Sequence, residues 1–305
     1  MALDRRSLEF LAHSRTRGVD FSSCATIGRQ GLGVSARDLR EVCEIARCPI
    51  TDEDAERLMD GGWLDPVLRQ FGTLELSTID VSDYEGATYL HDLNSEIPSD
   101  LVERFTAVLD IGSLEHIFNV PIALCNYMRM VRNGGHLLLV LPTNNEAGHG
   151  FYQFSPELFY RALSPEYGFQ IEGMYLLESG RRHPRWYVVM DPGAVGLRGQ
   201  FRSRAATHLF IQARRIGPYL GFQPFPQQSD YAVAWNAGHH PGAAGPLRRF
   251  TLPARQRLPR IWKDPLIRLR QVLFPNLLHR RPDYRVLRMH FKPIANQGVK
   301  DRKTP

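Results

Sequence analysis

The run His136-Leu-Leu-Leu-Val-Leu-Pro142 constrains the fold of this 305-residue chain more than any other stretch. It is apolar without alternation, the pattern of a strand buried on both faces, and such strands belong to parallel sheets covered by helices on either side. Further strands fit the same plan. Cys24-Ala-Thr-Ile-Gly28 is a short apolar run that enters the turn Gly28-Arg-Gln-Gly31-Leu-Gly33. Residues 74–81 read as a strand reaching Asp80, 88–90 as a short strand entering Asp92, and Phe105-Thr-Ala-Val-Leu-Asp-Ile111 as a strand followed by Gly112 and Ser113. Between them lie helical patterns. Ser35 is placed to cap a helix carrying Leu39, Val42, Cys43 and Ala46, a second helix covers 51–59, and a third covers 65–71 with Pro66 in its first turn. A helix over 120–131 should stop at Asn133-Gly134-Gly135, and Ser155-Pro156-Glu157 opens another. Strands at 169–178, 186–190 and 208–215 are less interleaved with helices, which predicts an antiparallel pair there.

Strand and helix alternate across roughly 190 residues, so the expected fold is α/β, a doubly wound and mostly parallel sheet. In such sheets ligands sit at the carboxyl ends of the strands, near the point where strand order reverses. The residues to watch are therefore Gly28, Asp80, Asp92, Gly112, Ser113 and the loop 143–153.

The motifs in order resemble the class I S-adenosylmethionine-dependent methyltransferases, in particular small-molecule, methyltransferase-11-like members. The resemblance rests on Phe105 to His116 with its "LEH" ending, a helix, the turn Arg132-Asn-Gly-Gly135, the apolar strand to Pro142, and Phe154-Ser-Pro-Glu-Leu-Phe159. It covers about residues 20–216. It implies a seven-stranded Rossmann-like sheet with S-adenosyl-L-methionine across the first two strands. By position, Gly28 matches the first glycine of the family's loop, Asp80 the acid that meets the ribose hydroxyls, and Asp92 the residue that meets the adenine amino group. Gly112 and Ser113 match the strand end facing the methionine part. Two residues depart from the pattern: Thr26 stands where the family has an acid, and Gln30 stands where the loop's second glycine belongs. A dinucleotide reading fails, because G-x-G-x-x-G would need glycine at position 30.

Methyl transfer to a hydroxyl needs a proton acceptor within hydrogen-bond reach. His116 and His149 lie in the expected loops and are the catalytic candidates, histidine's ordinary pKa suiting a base near neutral pH. His116 has the competing role of fixing its turn. Asn144, Asn145, Tyr152 and Gln153 are candidates for gripping a small, sugar-like acceptor, with Tyr152 also able to serve packing alone. Glu115 reads as a helix-start or surface acid. No metal triad at ligand spacing is visible in the sequence, and His239-His240 sits in a Gly/Pro-rich stretch.

Charge divides the chain unevenly. Residues 247–305 carry 16 Lys/Arg against 3 Asp/Glu, while residues 1–246 carry 22 against 29. The expected organisation is a methyltransferase-like domain at 1–216 and a Pro/Gly-rich linker with a basic extension at 217–305. Three readings of that extension stay open: a helix packing back on the acidic body with its arginines solvated, a segment lying on an anionic membrane surface, or contact with an acidic polymer, although no recognised nucleic-acid module accompanies it. Four cysteines without a C-x-x-C pair suggest free thiols in a reducing compartment. With no secretory h-region and no spanning run, a cytoplasmic protein, peripheral to the membrane at most, is expected. The competing function is a catalytically silent binding or scaffold protein on the same fold.

Overall fold

A computed structural model describes residues 2–179, 184–195, 201, 203–219 and 221–236. The sheet strands are β1 (Ser23–Ile27), β2 (Glu75–Asp80), β3 (Tyr89–Leu90), β4 (Phe105–Ile111), β5 (Val131–Asn144), β6 (Phe169–Glu178), β7 (Arg185–Val188) and β8 (Thr207–Arg215). They lie in the order β3-β2-β1-β4-β5-β8-β6-β7. The first five in that order run parallel, and β8 is antiparallel to both β5 and β6. The resemblance implies seven strands, and the eighth is β7, which pairs antiparallel with β6 at the sheet edge. The order reverses between β1 and β4, so the switch point falls there.

The unalternating run in β5 is explained by its two coats. Leu137, Leu139 and Leu141 enter one apolar cluster with Phe105, Val108, Leu124 and Tyr127. Leu138 and Val140 enter the opposite cluster with Leu8, Leu11, Val42 and Leu68. All five side chains are buried, and each large aliphatic group withdrawn from water stabilises the fold by about 1.5–3 kcal/mol. The first coat comes from α5 (Val120–Met130) and α6 (Pro156–Ala162). The second comes from α1 (Arg5–Thr16), α2 (Ala36–Ile45), α3 (Asp52–Met59) and α4 (Asp65–Gln70).

Helix starts follow the expected chemistry. Ser35 and Thr51 each close a capping box with the aspartate three residues on, and Ser155 accepts from the Glu157 amide. The end of α5 differs from expectation. It stops at Met130 because Val131 already has extended backbone and pairs with Phe105 of β4, so the Asn133-Gly134-Gly135 turn lies inside β5 rather than closing the helix. Gly135 is needed because a Cβ there would stand 2.7 Å from the Thr106 carbonyl. Helix α1, capped by Asp4, has no counterpart in the motif reading.

Two further helices complete the described residues, α7 (Pro192–Val195) and α8 (Ser229–Asn236). Just beyond β8 the chain stays on the body. Tyr219 donates to Cys125 Sγ at 2.8 Å, and Phe222 packs edge-on against Tyr167. All four cysteines are free thiols. Among the described residues no helix is long and apolar enough to cross a membrane. The basic segment 247–305, and His239-His240, lie outside the described residues.

Gly168 has φ +77°, and a Cβ on it would stand 2.5 Å from the Pro218 carbonyl, while its own carbonyl receives the Ile216 amide at 2.8 Å. Gly168→Ala should therefore cost roughly 1–3 kcal/mol, read as a lower denaturation midpoint in urea. An unchanged midpoint would show that residues 216–218 do not seat on this turn.

Candidate functional site

The ends of β1, β2 and β4 meet at the switch point. The Gly28 amide donates to Ile79 O at 2.8 Å, joining β1 to β2, and Ser113 Oγ donates to Ile27 O at 2.9 Å, joining β4 to β1. Gly28 has φ +66°, a conformation glycine adopts without steric cost. A Cβ on it would lie 3.6 Å from Asp80 Oδ2 and 3.6 Å from Ser113 Oγ. Bare backbone, a carboxylate oxygen and a hydroxyl thus converge at one point, which the Gln30 amide nitrogen also approaches at 3.9 Å. Asp80 Oδ1 accepts the Ser82 amide at 2.9 Å, whereas Oδ2 has no donor among the described residues. Gly112, φ +87°, makes the turn that brings Ser113 there.

The two departures from the family pattern have visible consequences. Thr26 Oγ1 is 3.2 Å from Thr78 Oγ1, a buried pair between β1 and β2. Gln30 turns back on its own strand. It is buried, and its amide nitrogen donates to Ile27 O at 2.8 Å while Oε1 has no hydrogen-bond partner. One flank of Gly28 is therefore lined by a side chain, where the resemblance implies bare backbone. Arg29 is turned to other partners, donating to Asp65 Oδ2 at 3.0 Å and Glu85 O at 3.1 Å, with its guanidinium 4.4 Å from the Trp63 ring centre. Asp92 is exposed, and one of its oxygens accepts both the Asn94 amide and the Asn94 side chain, which hold its carboxyl below the usual range.

After β4 the chain makes a tight turn around a buried acid. Asp110 accepts the amides of Ser113 at 2.7 Å and Leu114 at 2.9 Å, yet burial outweighs these bonds and pushes its pKa up to about 6. Glu115 overturns the expectation of a surface acid. Its side chain is fully buried, and neither carboxyl oxygen has a hydrogen-bond partner. Burial first, and the nearby Asp110 charge second, push it up to about 8.

His149 closes over it, with Nε2 at 3.4 Å from Glu115 Oε1, and His116 Nε2 is 4.0 Å from the same oxygen. The two rings are edge to face, 5.0 Å between centres. Sequence spacing alone shows no such trio; the β5–α6 loop creates it. The cause is local: the Phe151 amide donates to Glu115 O at 2.7 Å, and a Cβ on Gly150 would stand 2.8 Å from that carbonyl, so only glycine lets the loop lie this close. Burial lowers the pKa of His116, and the neighbouring His149 adds to the effect. Phe118 and Phe151, two residues after His116 and His149 in sequence, are both largely exposed and perpendicular, 5.9 Å between centres.

The acceptor candidates divide. Asn145, at φ +62°, donates to Ser203 O at 2.9 Å and Ala205 O at 2.8 Å, so its amide nitrogen holds the loop. Gln153 Oε1 accepts the Glu146 amide at 3.0 Å, and the Tyr152 hydroxyl donates to Phe118 O at 2.8 Å. Asn144 ends β5, its carbonyl facing the Thr207 hydroxyl at 3.4 Å.

No protein-family model and no curated protein matches the chain. Among solved structures it is similar to a putative methyltransferase from Bacillus halodurans C-125 (TM-score 0.40, 12% identity, covering 70% of this chain and 99% of that one). It is also similar to the N-methyltransferase NodS from Bradyrhizobium japonicum WM9 in complex with S-adenosyl-L-homocysteine (0.37, 13%, 70% and 86%). A third is the citrinin polyketide synthase CMeT domain (0.37, 11%, 68%), of which the chain covers 51%. Likeness at this level says nothing of chemistry, which rests on the residues above.

Glu115 is more readily protonated in the folded chain than when unfolded. It therefore stabilises the fold fully below its unfolded pKa, near 4.5, and that contribution is lost as pH rises toward about 8. With a chelator present, Glu115→Gln should melt higher than the parent at pH 9 and show a much smaller difference at pH 5. Equal melting curves at both values would place the carboxyl in water.

Proposed function

We propose that the protein transfers a methyl group from S-adenosyl-L-methionine to an oxygen of a small, sugar-like acceptor. The observation that carries this reading is the convergence of the free Asp80 oxygen and the Ser113 hydroxyl on the bare backbone of Gly28, at the switch point of a doubly wound sheet. These groups suit a nucleoside. Backbone without a side chain permits close approach at Gly28, and a strand-end carboxylate accepts hydrogen bonds from paired hydroxyls. Gly28, Asp80, Gly112 and Ser113 would hold the cofactor, with Asp92 on the outer rim. When bound, it supplies an activated methyl group on a positively charged sulfur.

The chain's own residues have the remaining tasks. Arg29 is turned to Asp65, so its charge is neutralised away from the site. The Glu115–His116–His149 trio stands at the end of β4, beside Ser113, where an acceptor would lie. A hydroxyl must lose its proton as the new bond forms, and the trio offers two imidazoles and a carboxyl for easing that loss. The exposed Phe118 and Phe151 rings offer apolar faces to the C–H side of a sugar-like ring. Asn145, Gln153 and Tyr152 act by holding the loop, and Asn144 is left as the side chain for acceptor contact. Alignment and exclusion of water supply much of the rate in such displacements.

The silent-scaffold reading draws on Thr26 and Gln30, whose side chains are turned into the strand ends. Titration with S-adenosyl-L-methionine separates the two. Asp80→Ala should weaken binding at least tenfold by calorimetry, and equal affinity would remove Asp80 from the site. His149→Ala should lower methyl transfer at least tenfold with cofactor affinity unchanged; undiminished turnover would remove the trio from the reaction.

A further inference from the structure

We propose that Glu115, His116 and His149 bind one divalent first-row transition-metal cation. One ligand atom from each residue lies within 4.8 Å of the other two. The two separations to Glu115 Oε1 are 3.4 and 4.0 Å. A tetrahedral site with metal–ligand bonds of 2.0–2.2 Å has ligand atoms about 3.4 Å apart, so modest closure of the trio brings all three onto a shared ion.

A second, independent observation is the state of Glu115. Both its oxygens are buried and neither accepts a hydrogen bond, although a buried carboxyl ordinarily has partners. A bond from one imidazole would engage one oxygen and leave the other ring without a role. A cation engages the carboxyl and both rings together. Glu115 is the buried member and the two imidazoles are half-exposed, so the remaining coordination positions are open to solvent on the imidazole side. Two imidazoles and one carboxylate with open positions suit Fe, Co, Mn or Zn rather than Mg or Ca, which prefer all-oxygen sets.

The cation gives the trio its means of acting on the acceptor. A hydroxyl bound at an open position ionises more easily because the metal stabilises the resulting oxyanion. Its proton leaves to solvent, an oxygen–methyl bond forms and the sulfur–methyl bond breaks. This use of the site rests on the methyl-transfer reading; binding of the cation does not.

The test uses the full chain, stripped with a chelator and titrated with Co2+. The expected result is one equivalent bound, with visible absorption bands of nitrogen-coordinated Co2+. Glu115→Gln and His149→Ala should each weaken binding at least tenfold, and His116→Asn serves if either fails to fold by circular dichroism. The paired replacement His239→Ala and His240→Ala should leave binding unchanged. Mg2+ should not compete. Absence of saturable binding, or equal affinity in folded trio variants, overturns the proposal. Repeating the S-adenosyl-L-methionine titration and turnover with chelator present separates the two readings. Full turnover without metal overturns the cation's role and leaves methyl transfer standing. Failure of the methyl donor to bind overturns methyl transfer and leaves the site to the Co2+ result.

Discussion

The carbonyl of Ile27 is the junction on which the site depends. It accepts hydrogen bonds from Ser113 at the end of β4 and from Gln30 in its own loop, and the next amide, Gly28, is bound to β2. Three strand ends are thereby laced at one residue. Buried backbone groups must be paired, and here the pairing also sets geometry. It holds Ser113 and Asp80 beside a residue with no side chain, so their convergence is a product of strand-end hydrogen bonding rather than of flexible loops.

Next to this junction the fold places two acids where water is excluded, and it treats them differently. Asp110 lies under a turn whose amides point at it, which compensates part of the cost of burial. Glu115, five residues on, has no such amides and is faced by imidazole nitrogens instead. Buried carboxyls with shifted titration beside histidines cluster at functional sites. The arrangement is made possible by Gly150, because a larger residue would lift the loop off the Glu115 backbone.

Much of this is legible in the sequence. The apolar run of β5, the caps at Ser35 and Ser155, and the residues after each strand were readable because they depend on local chemistry: periodicity, capping oxygens, and glycine where the backbone turns left. Gly28, Asp80 and Ser113 accordingly come together as their positions predict. Glu115 was misread for a physical reason. An acid just past a strand is usually solvated, and its burial comes from a loop thirty-five residues later in sequence. The signal available was the glycine on each side of His149, which marks a loop lying against something. The backbone partners of Asn145 and Gln153 were not legible for the complementary reason, since amides suited to a ligand are equally suited to neighbouring backbone.

Arg29 bears on how molecules can reach this centre. It ties the loop after β1 to the start of α4 and to the carbonyl of Glu85 beyond β2, with Trp63 stacked against it. That side of the opening is braced by an ion pair, a hydrogen bond and an aromatic contact at once, so the loops there cannot swing apart independently. Phe118 and Phe151, by contrast, are largely exposed and touch edge to face, so either ring can turn in solvent without breaking an ion pair.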